Sequence, residues 1–362
     1  MEVKIIRIEK YKRIPFFDGL NMYWFLFFGG VICLIVVILY FQSIEKKKIM
    51  AAQRRNRSLH SSTPVTFDDE TDRKDKIERA MSGNITAQLA LGADLELVDQ
   101  NGAIKWYLKA AEQNSQQAFY ALVRLYDDNY DDPNSSEKSK YWAARLGDSK
   151  GLQESSLILG KLYLEGVGCD KNIDFGTQII TDLALKDNLK AQLFLAQWYQ
   201  KLQDGHPEGF YWMLKAAYQD DAKAMVTVSS CYYHGIGTKK NIYKAIYWSE
   251  RGGELKSPES QLRSAQYNQK ISSSHNAVAY IWAYLAVAND YEEAHSLKND
   301  LEASLPLENL LTIQNVARKL HGLMNEKPVK KHSVIRLLNK FYVRENYFPP
   351  EDINDECAMY TD

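Results

Sequence analysis

Hydrophobic positions follow two different patterns along this chain. From Gly19 to Ile44 no side chain is charged, and the centre of that stretch, Tyr23 to Phe41, is 19 residues of nearly unbroken apolar side chain. About 20 apolar residues at about 1.5 Å rise match a hydrocarbon core about 30 Å thick, so residues 23–41 predict one membrane-spanning helix in contact with lipid. Tyr23 and Trp24 at one end, and Tyr40 and Phe41 at the other, suit the two headgroup levels. A cleaved signal peptide would have a shorter apolar region and a small-residue cleavage site. Lys46, Lys47, Lys48, Arg54 and Arg55 follow instead, so the helix is expected to stay as an anchor.

After residue 77 the pattern changes to Ala, Leu, Tyr and Trp at helical spacing, and it repeats. Segments beginning at Ala118, Ser155, Ala191 and Ala224 read AFYALVRLY, SSLILGKLY, AQLFLAQWY and AMVTVSSCY, each ending in a tyrosine: Tyr126, Tyr163, Tyr199 and Tyr232. An earlier copy starts at Ala87 and a degenerate one near Glu259, with start-to-start spacings of 31, 37, 36, 33 and 35 residues. Sixteen residues after Tyr126, Tyr163 and Tyr232 come Trp142, Ile179 and Trp248, while Trp106 and Trp212 mark the same place in two other copies. Between the halves stand Gly166-Val167-Gly168 and Gly235-Ile236-Gly237; glycine takes φ > 0 without a Cβ clash, so these turns end one helix and start the next. Each copy is predicted to be two antiparallel helices, with Ala and Gly allowing close approach and aromatic rings filling the space between.

Glu165-Gly166-Val167-Gly168-Cys169-Asp170 after LGKLYL, and His234-Gly235-Ile236-Gly237 followed by Asn241, Ala245 and Trp248, resemble the Sel-one-like repeat (SLR), a relative of the tetratricopeptide repeat. The resemblance covers roughly residues 80–325. Leu95 replaces the tyrosine of the first copy, Asp127–Asp132 with Pro133 replaces the glycine turn of the Ala118 copy, and Asp204-Gly205-His206-Pro207 replaces that of the Ala191 copy. The segment from Ala277 to Met324 is similar to the unit that closes such stacks, since an uncapped end would expose an apolar helix face. The resemblance implies an all-α fold: a right-handed α-solenoid of helix-turn-helix repeats, here with one N-terminal transmembrane helix. Family members usually act as adaptors in assembling membrane or envelope complexes.

The expected organisation is a basic segment 1–22, the span 23–41, a polar linker 42–76, a solenoid with capping helices 77–326, and a mobile charged tail 327–362 with one short helix near 334–342. Charge sharpens it: residues 1–60 hold 11 Lys/Arg against 4 Asp/Glu, leaving 34 against 42 for the remainder. A mildly acidic body excludes a non-specific nucleic-acid binder. The basic clusters before and after the span are nearly equal, the second slightly larger, which leans toward a cytosolic body on a membrane such as the bacterial inner membrane and leaves the side open. Cys33, Cys169, Cys231 and Cys357 are too dispersed for a disulfide framework or a CxxC metal site.

No spacing required by hydrolytic, nucleotide or zinc chemistry occurs, so no catalytic residue, metal or cofactor is assigned. The Gly-x-Gly turns lack the preceding strand of a phosphate loop, His234 beside Cys231 reads as a turn residue next to a packed thiol, and Asp127–Asp132 lacks an EF-hand's central Gly and distal Glu. Trp106, Trp142, Trp198, Trp212, Trp248 and Trp282 are expected between helices. Residues one turn away, namely Tyr107, Phe119, Tyr120, Phe194, Tyr211, Tyr233, Tyr243 and Tyr247, are the candidate partner-binding surface. Two functions follow: a membrane-anchored scaffold holding a protein or peptide in the solenoid groove, or a cell-wall glycan binder or regulator of a cell-wall enzyme.

Overall fold

The computed structural model describes residues 67–129, 132–202, 205–326, 328–342 and 344. The span expected at 23–41 lies outside them; among the described residues no helix is long and apolar enough to cross a membrane. The described residues hold 16 α-helices and no strand, in two compact units, one ending at Ala118 and one beginning at Phe119.

The first unit contains α1 (Phe67–Met81), α2 (Ile85–Leu95) and α3 (Gln100–Glu112); α4 (Gln116–Asp127) begins at its end. The linker expected over 42–76 is therefore helical from Phe67. Pairs one turn apart, Glu70 with Lys74 and Asp75 with Arg79, carry the helix through polar sequence, and Ala80 is fully buried in an apolar cluster with Ala87 and Leu91.

The second unit continues with α5 (Ser135–Ser149), α6 (Gln153–Glu165), α7 (Ile173–Leu185), α8 (Leu189–Leu202), α9 (Pro207–Tyr218), α10 (Ala222–His234), α11 (Ile242–Glu254), α12 (Pro258–Gln269), α13 (Asn276–Ala288), α14 (Ala294–Ser304), α15 (Leu307–Glu326) and α16 (Ser333–Phe341). From α5 to α14 each helix packs on the next, while α15 packs on α13 and α16 on α11. Five starts carry their reason in sequence: Asn84, Asp99, Asn172, Asp221 and Asn241 accept a hydrogen bond from the backbone N–H three residues on, at 2.7–3.1 Å. Gly166 and Gly235 end α6 and α10 in the left-handed region, at φ 75° and 78°. Within one pair, Gly160 on α6 and Gly176 on α7 face each other so closely that a Cβ on Gly176 would lie 2.7 Å from the Gly160 carbonyl oxygen.

Two devices repeat that the spacing of aromatics did not reveal. At the junction between one pair and the next stands a single left-handed residue: Asn114, Gly151, Asp187, Asp220, Lys256 and Asp290, with φ between 57° and 75°. Asn, Asp and Gly are the residues that tolerate this conformation best, and Lys256 is the exception. The second device is a buried amide. Gln88, Gln192 and Gln261 each donate through Nε2 to a backbone carbonyl eight residues earlier (Ala80, Ala184 and Gly253) at 3.0 Å. Each accepts at Oε1 from an amide ending the following helix, Gln113, Gln219 or Asn289, at 2.8–3.0 Å. Helix C-terminal carbonyls need partners, and these glutamines supply them inside the stack.

The core of the second unit runs from α6 to α11 around Leu195, Leu214, Met225, Tyr232 and Trp248, and a second cluster spans α12 to α16 around Ile281, Trp282 and Leu301. The tail expected to be mobile contributes to both: Ile335 of α16 is fully buried in the first cluster, Val334 and Leu338 in the second. Three apolar residues within one and a half turns of a helix lead it to dock rather than remain solvated.

Candidate partner-binding surface

The first helices of successive pairs bring aromatic rings and cations together. On α8, Phe194 and Trp198 lie one turn apart and stack at 6.2 Å with 17° between planes. Phe194 occupies the same place in its copy as exposed Ile158 on α6, and Lys161 of α6 holds its Nζ 4.8 Å from the Phe194 ring. Farther along, Tyr233 of α10 stacks on Tyr267 of α12 at 4.5 Å and 13°. Lys270 donates to the Tyr233 hydroxyl at 2.6 Å and sits 4.8 Å from its ring, with Lys240 at 5.6 Å. Phe194, Trp198 and Tyr233 are half-buried. The result is two clusters of flat rings edged by ammonium groups, one on α6–α8 and one on α10–α12, each suited to aromatic, aliphatic and carboxylate groups of a ligand.

A cleft of about 610 Å³ opens where α5, α6 and the turn after α6 meet, lined by Lys138, Tyr141, Trp142, Tyr163, Cys169 and Lys171 among others. The hydroxyls of Tyr141 and Tyr163 are 2.9 Å apart, and Arg145 donates to Tyr163 at 3.2 Å. Burial, and then the Tyr163 hydrogen bond, push the Tyr141 hydroxyl pKa well up, so it remains a neutral donor. Gly168, at φ 72°, forms one wall; a Cβ there would overlap the Glu137 carbonyl of α5.

The eight candidate aromatics separate by burial. Tyr120 is 63% exposed, and Phe194, Tyr233 and Tyr243 are half-buried. Tyr107, Phe119, Tyr211 and Tyr247 are buried and do not line a surface. Tyr107 lies against Gly92 and donates to Glu96 at 2.7 Å; Phe119 is covered by Trp142 and the Arg145 guanidinium. Tyr211 and Tyr247 each precede a core tryptophan and meet it edge-on, and Tyr247 also pairs with His332 at 2.9 Å. Burial pushes the Tyr247 hydroxyl up to about 12. A position adjacent to the core in sequence is turned about 100° around the helix, which in a stacked array faces the next pair rather than water. Trp198 is half-buried, packed against the core cluster and stacked on Phe194; Trp106 and Trp142 are half-buried too, and Trp212, Trp248 and Trp282 are buried.

Among the described residues no group of three or more His, Cys, Asp or Glu side chains could hold a metal ion. Two free thiols differ sharply. Cys231 is buried and its pKa is pushed up to about 11, whereas Cys169 is half-buried at the cleft and raised by burial and by Asp170. At pH 8 a thiol of pKa about 11 is ionised to about one part in a thousand. With Cys33 and Cys357 replaced by serine, maleimide should therefore label native Cys169 at least about tenfold faster than Cys231, and the two equally in denaturant. Equal native rates would show that Cys231 is not sealed.

The pattern of the Sel1 repeat family matches residues 87–115, 154–176, 189–221 and 222–257. Together these segments make up about a third of the chain, which is to that extent similar to Sel1 repeat proteins. The four matched segments include α6, the start of α7, and α8 through α11, and hence Lys161, Phe194, Trp198 and Tyr233, while the copy from Ala118, whose helices are joined without a Gly-x-Gly turn, is not among them. The chain is 28% identical over 188 residues to the chitin synthase regulator SKT5 of Saccharomyces cerevisiae, covering 48% of this chain and 27% of that protein. It thus spans about a quarter of the length of the curated relative it matches. Among solved structures it is similar to c5321, a protective antigen of uropathogenic Escherichia coli with an SLR fold: 20% identity, 76% of this chain and 60% of that one, TM-score 0.41. A Sel1 repeat protein from Oxalobacter formigenes is similar at 19% identity over 64% of this chain and 99% of the other, TM-score 0.36.

Proposed function

We propose that the chain is a membrane-anchored, non-catalytic scaffold that uses its Sel1 repeats to bind a protein or peptide partner. The observation that carries this reading is the pair of half-exposed clusters formed by Lys161, Phe194 and Trp198 on α6–α8 and by Tyr233, Tyr267 and Lys270 on α10–α12. Half-buried rings held in place by stacking lose little side-chain freedom on binding, and neighbouring ammonium groups select a carboxylate-bearing partner. The anchor rests on the uncharged run Gly19–Ile44. A second reading, regulation of a membrane-bound cell-wall polysaccharide synthase, is favoured by the similarity to a chitin synthase regulator. It makes the partner an enzyme rather than its glycan product.

The test is a photo-reactive amino acid at Phe194 in the membrane-bound full-length chain, with exposed Asp182 on α7 as control. A discrete adduct is expected at Phe194 and not at Asp182, and Trp198→Ala should weaken capture by about ten- to a hundredfold. Equal adducts at both positions, or none at Phe194, would sink the assignment of this face.

A further inference from the structure

One second helix breaks the rule of its own repeat. Two residues after the marker position (Trp106, Trp142, Ile179, Trp212 or Trp248) stand Leu108, Ala144, Thr181, Leu214 and Glu250. Stacking of helix pairs thus needs no charge at this place, yet the Glu250 side chain is wholly buried and charged-partnered. Its Oε1 accepts from Trp282 Nε1 at 3.0 Å, from Asn268 Nδ2 at 3.3 Å and from the wholly buried guanidinium of Arg344, which also donates to Asn339.

One turn farther along α11, the buried Glu254 grips the other end of the same segment. Its Oε1 accepts from the backbone N–H groups of Val334 and Ile335 at 2.9 and 3.1 Å, and its Oε2 from that of His332 at 3.0 Å. These are the open amides at the start of α16, where a helix favours negative charge. Arg251 holds Glu254 at 3.1 Å and Asp220 at 2.8 Å, which keeps the carboxylate oriented. Between the two carboxylates, Val334, Ile335 and Leu338 fill the seam between the apolar clusters.

We propose that this face of α11–α13 is a peptide-binding site for a short helix with free N-terminal amides, apolar residues in its first turns and an arginine beyond its end, and that segment 332–344 is a tethered occupant exchangeable for such a helix from another protein. A purely structural seal would be expected to be apolar, because a buried ion pair is seldom more stabilising than well-packed hydrophobic residues of its size. Charged groups also leave a groove that water can enter once its occupant departs. The tether allows departure: Pro328, Lys330 and Lys331 are exposed. Glu250, Glu254 and Trp282 lie on second helices and Asn268 on α12 beside Tyr267, so the site shares one helix with the aromatic clusters but is tested by a different binding measurement.

The experiment uses the full-length chain and a fluorescent synthetic peptide of residues 328–346. A tethered segment competes at an effective concentration near the millimolar range, so the wild-type chain should bind the peptide poorly. Arg344→Glu in the chain sets two carboxylates together, frees the segment and should tighten peptide binding by about tenfold or more. A peptide carrying Arg344→Ala should lose that gain. A peptide that binds as well without its arginine, or an Arg344→Glu chain that binds no better than wild type, overturns the proposal. Should Arg344→Glu fail to fold, a protease site placed at residues 328–331 serves instead. After cleavage, excess labelled peptide is expected to replace the cut segment, and a segment that stays bound against that excess overturns the proposal equally.

Discussion

Trp282→Ala is expected to destabilise the second unit by about 3–5 kcal/mol, seen as a fall in melting temperature of roughly 6–20 °C by circular dichroism or calorimetry. Trp282 is fully buried in the α12–α16 cluster, so removing the indole leaves a cavity that helices held by neighbours on both sides can only partly close. The ring also does electrostatic work through its Nε1–H bond to Glu250. Trp282→Phe separates the two contributions: most packing survives, but a buried carboxylate loses one donor, for an expected cost of about 1–3 kcal/mol. Gly253 faces the same ring, and a Cβ there would stand 2.7 Å from it, so the indole and the glycine are matched. A Trp282→Ala chain melting within a degree or two of wild type would mean that this cluster repacks freely and is not a specific core.

The second large effect is expected at Gly168. Its φ of 72° costs a non-glycine residue about 1–2 kcal/mol, and a Cβ would also overlap the Glu137 carbonyl, which is backbone and cannot rotate away. Displacing α5 should add about 1–3 kcal/mol, giving about 2–5 kcal/mol in all for Gly168→Ala. Gly151 provides the comparison, for its φ is 75° but nothing lies within 4 Å of a Cβ built there. Gly151→Ala should therefore cost only the conformational share, about 1–2 kcal/mol. Denaturant midpoints of the two variants measure the difference directly. Similar midpoints would show that the turn after α6 does not press on α5.

How far the sequence could be read depends on which interaction sets each feature. Helix pairs were legible because Tyr126, Tyr163 and Tyr232, with Trp142, Ile179 and Trp248 sixteen residues on, mark the same core contacts in each copy. The side of a helix that reaches water was not. Tyr211 and Tyr247 sit beside core tryptophans and look like surface candidates, but the angle between successive pairs decides what covers them, and one helix's periodicity does not contain that angle. The burial of Gln88, Gln192 and Gln261 escapes local pattern for a similar reason: it follows from carbonyls that only the folded stack presents. A glutamine recurring at the second position of the copies was the available signal. The docking of α16 depends on Glu250 and Glu254, about 80 residues away, beyond the reach of any local pattern. Of the surface proposed for binding, spacing picks out Phe194 and Tyr233 as candidates, while Lys161, Trp198 and Lys270 join them only when neighbouring copies are brought side by side.

The buried amides divide the copies into portable and keyed modules. Gln192 finds a side-chain partner in Gln219 of its own copy and otherwise needs only a backbone carbonyl, which every preceding helix offers. The copy beginning at Ser155 is different. Ser156 donates to the Asp148 carboxylate of the helix before it, at 2.6 Å, and Ser155 fills a gap left by Gly147 that a Cβ would close. Duplication, deletion or transplantation during evolution could thus move a glutamine copy between stacks with its contacts intact, whereas the α5–α6 joint must travel as a matched pair. That joint also walls the cleft lined by Tyr141 and Tyr163, so cleft shape is inherited with the joint rather than with either repeat.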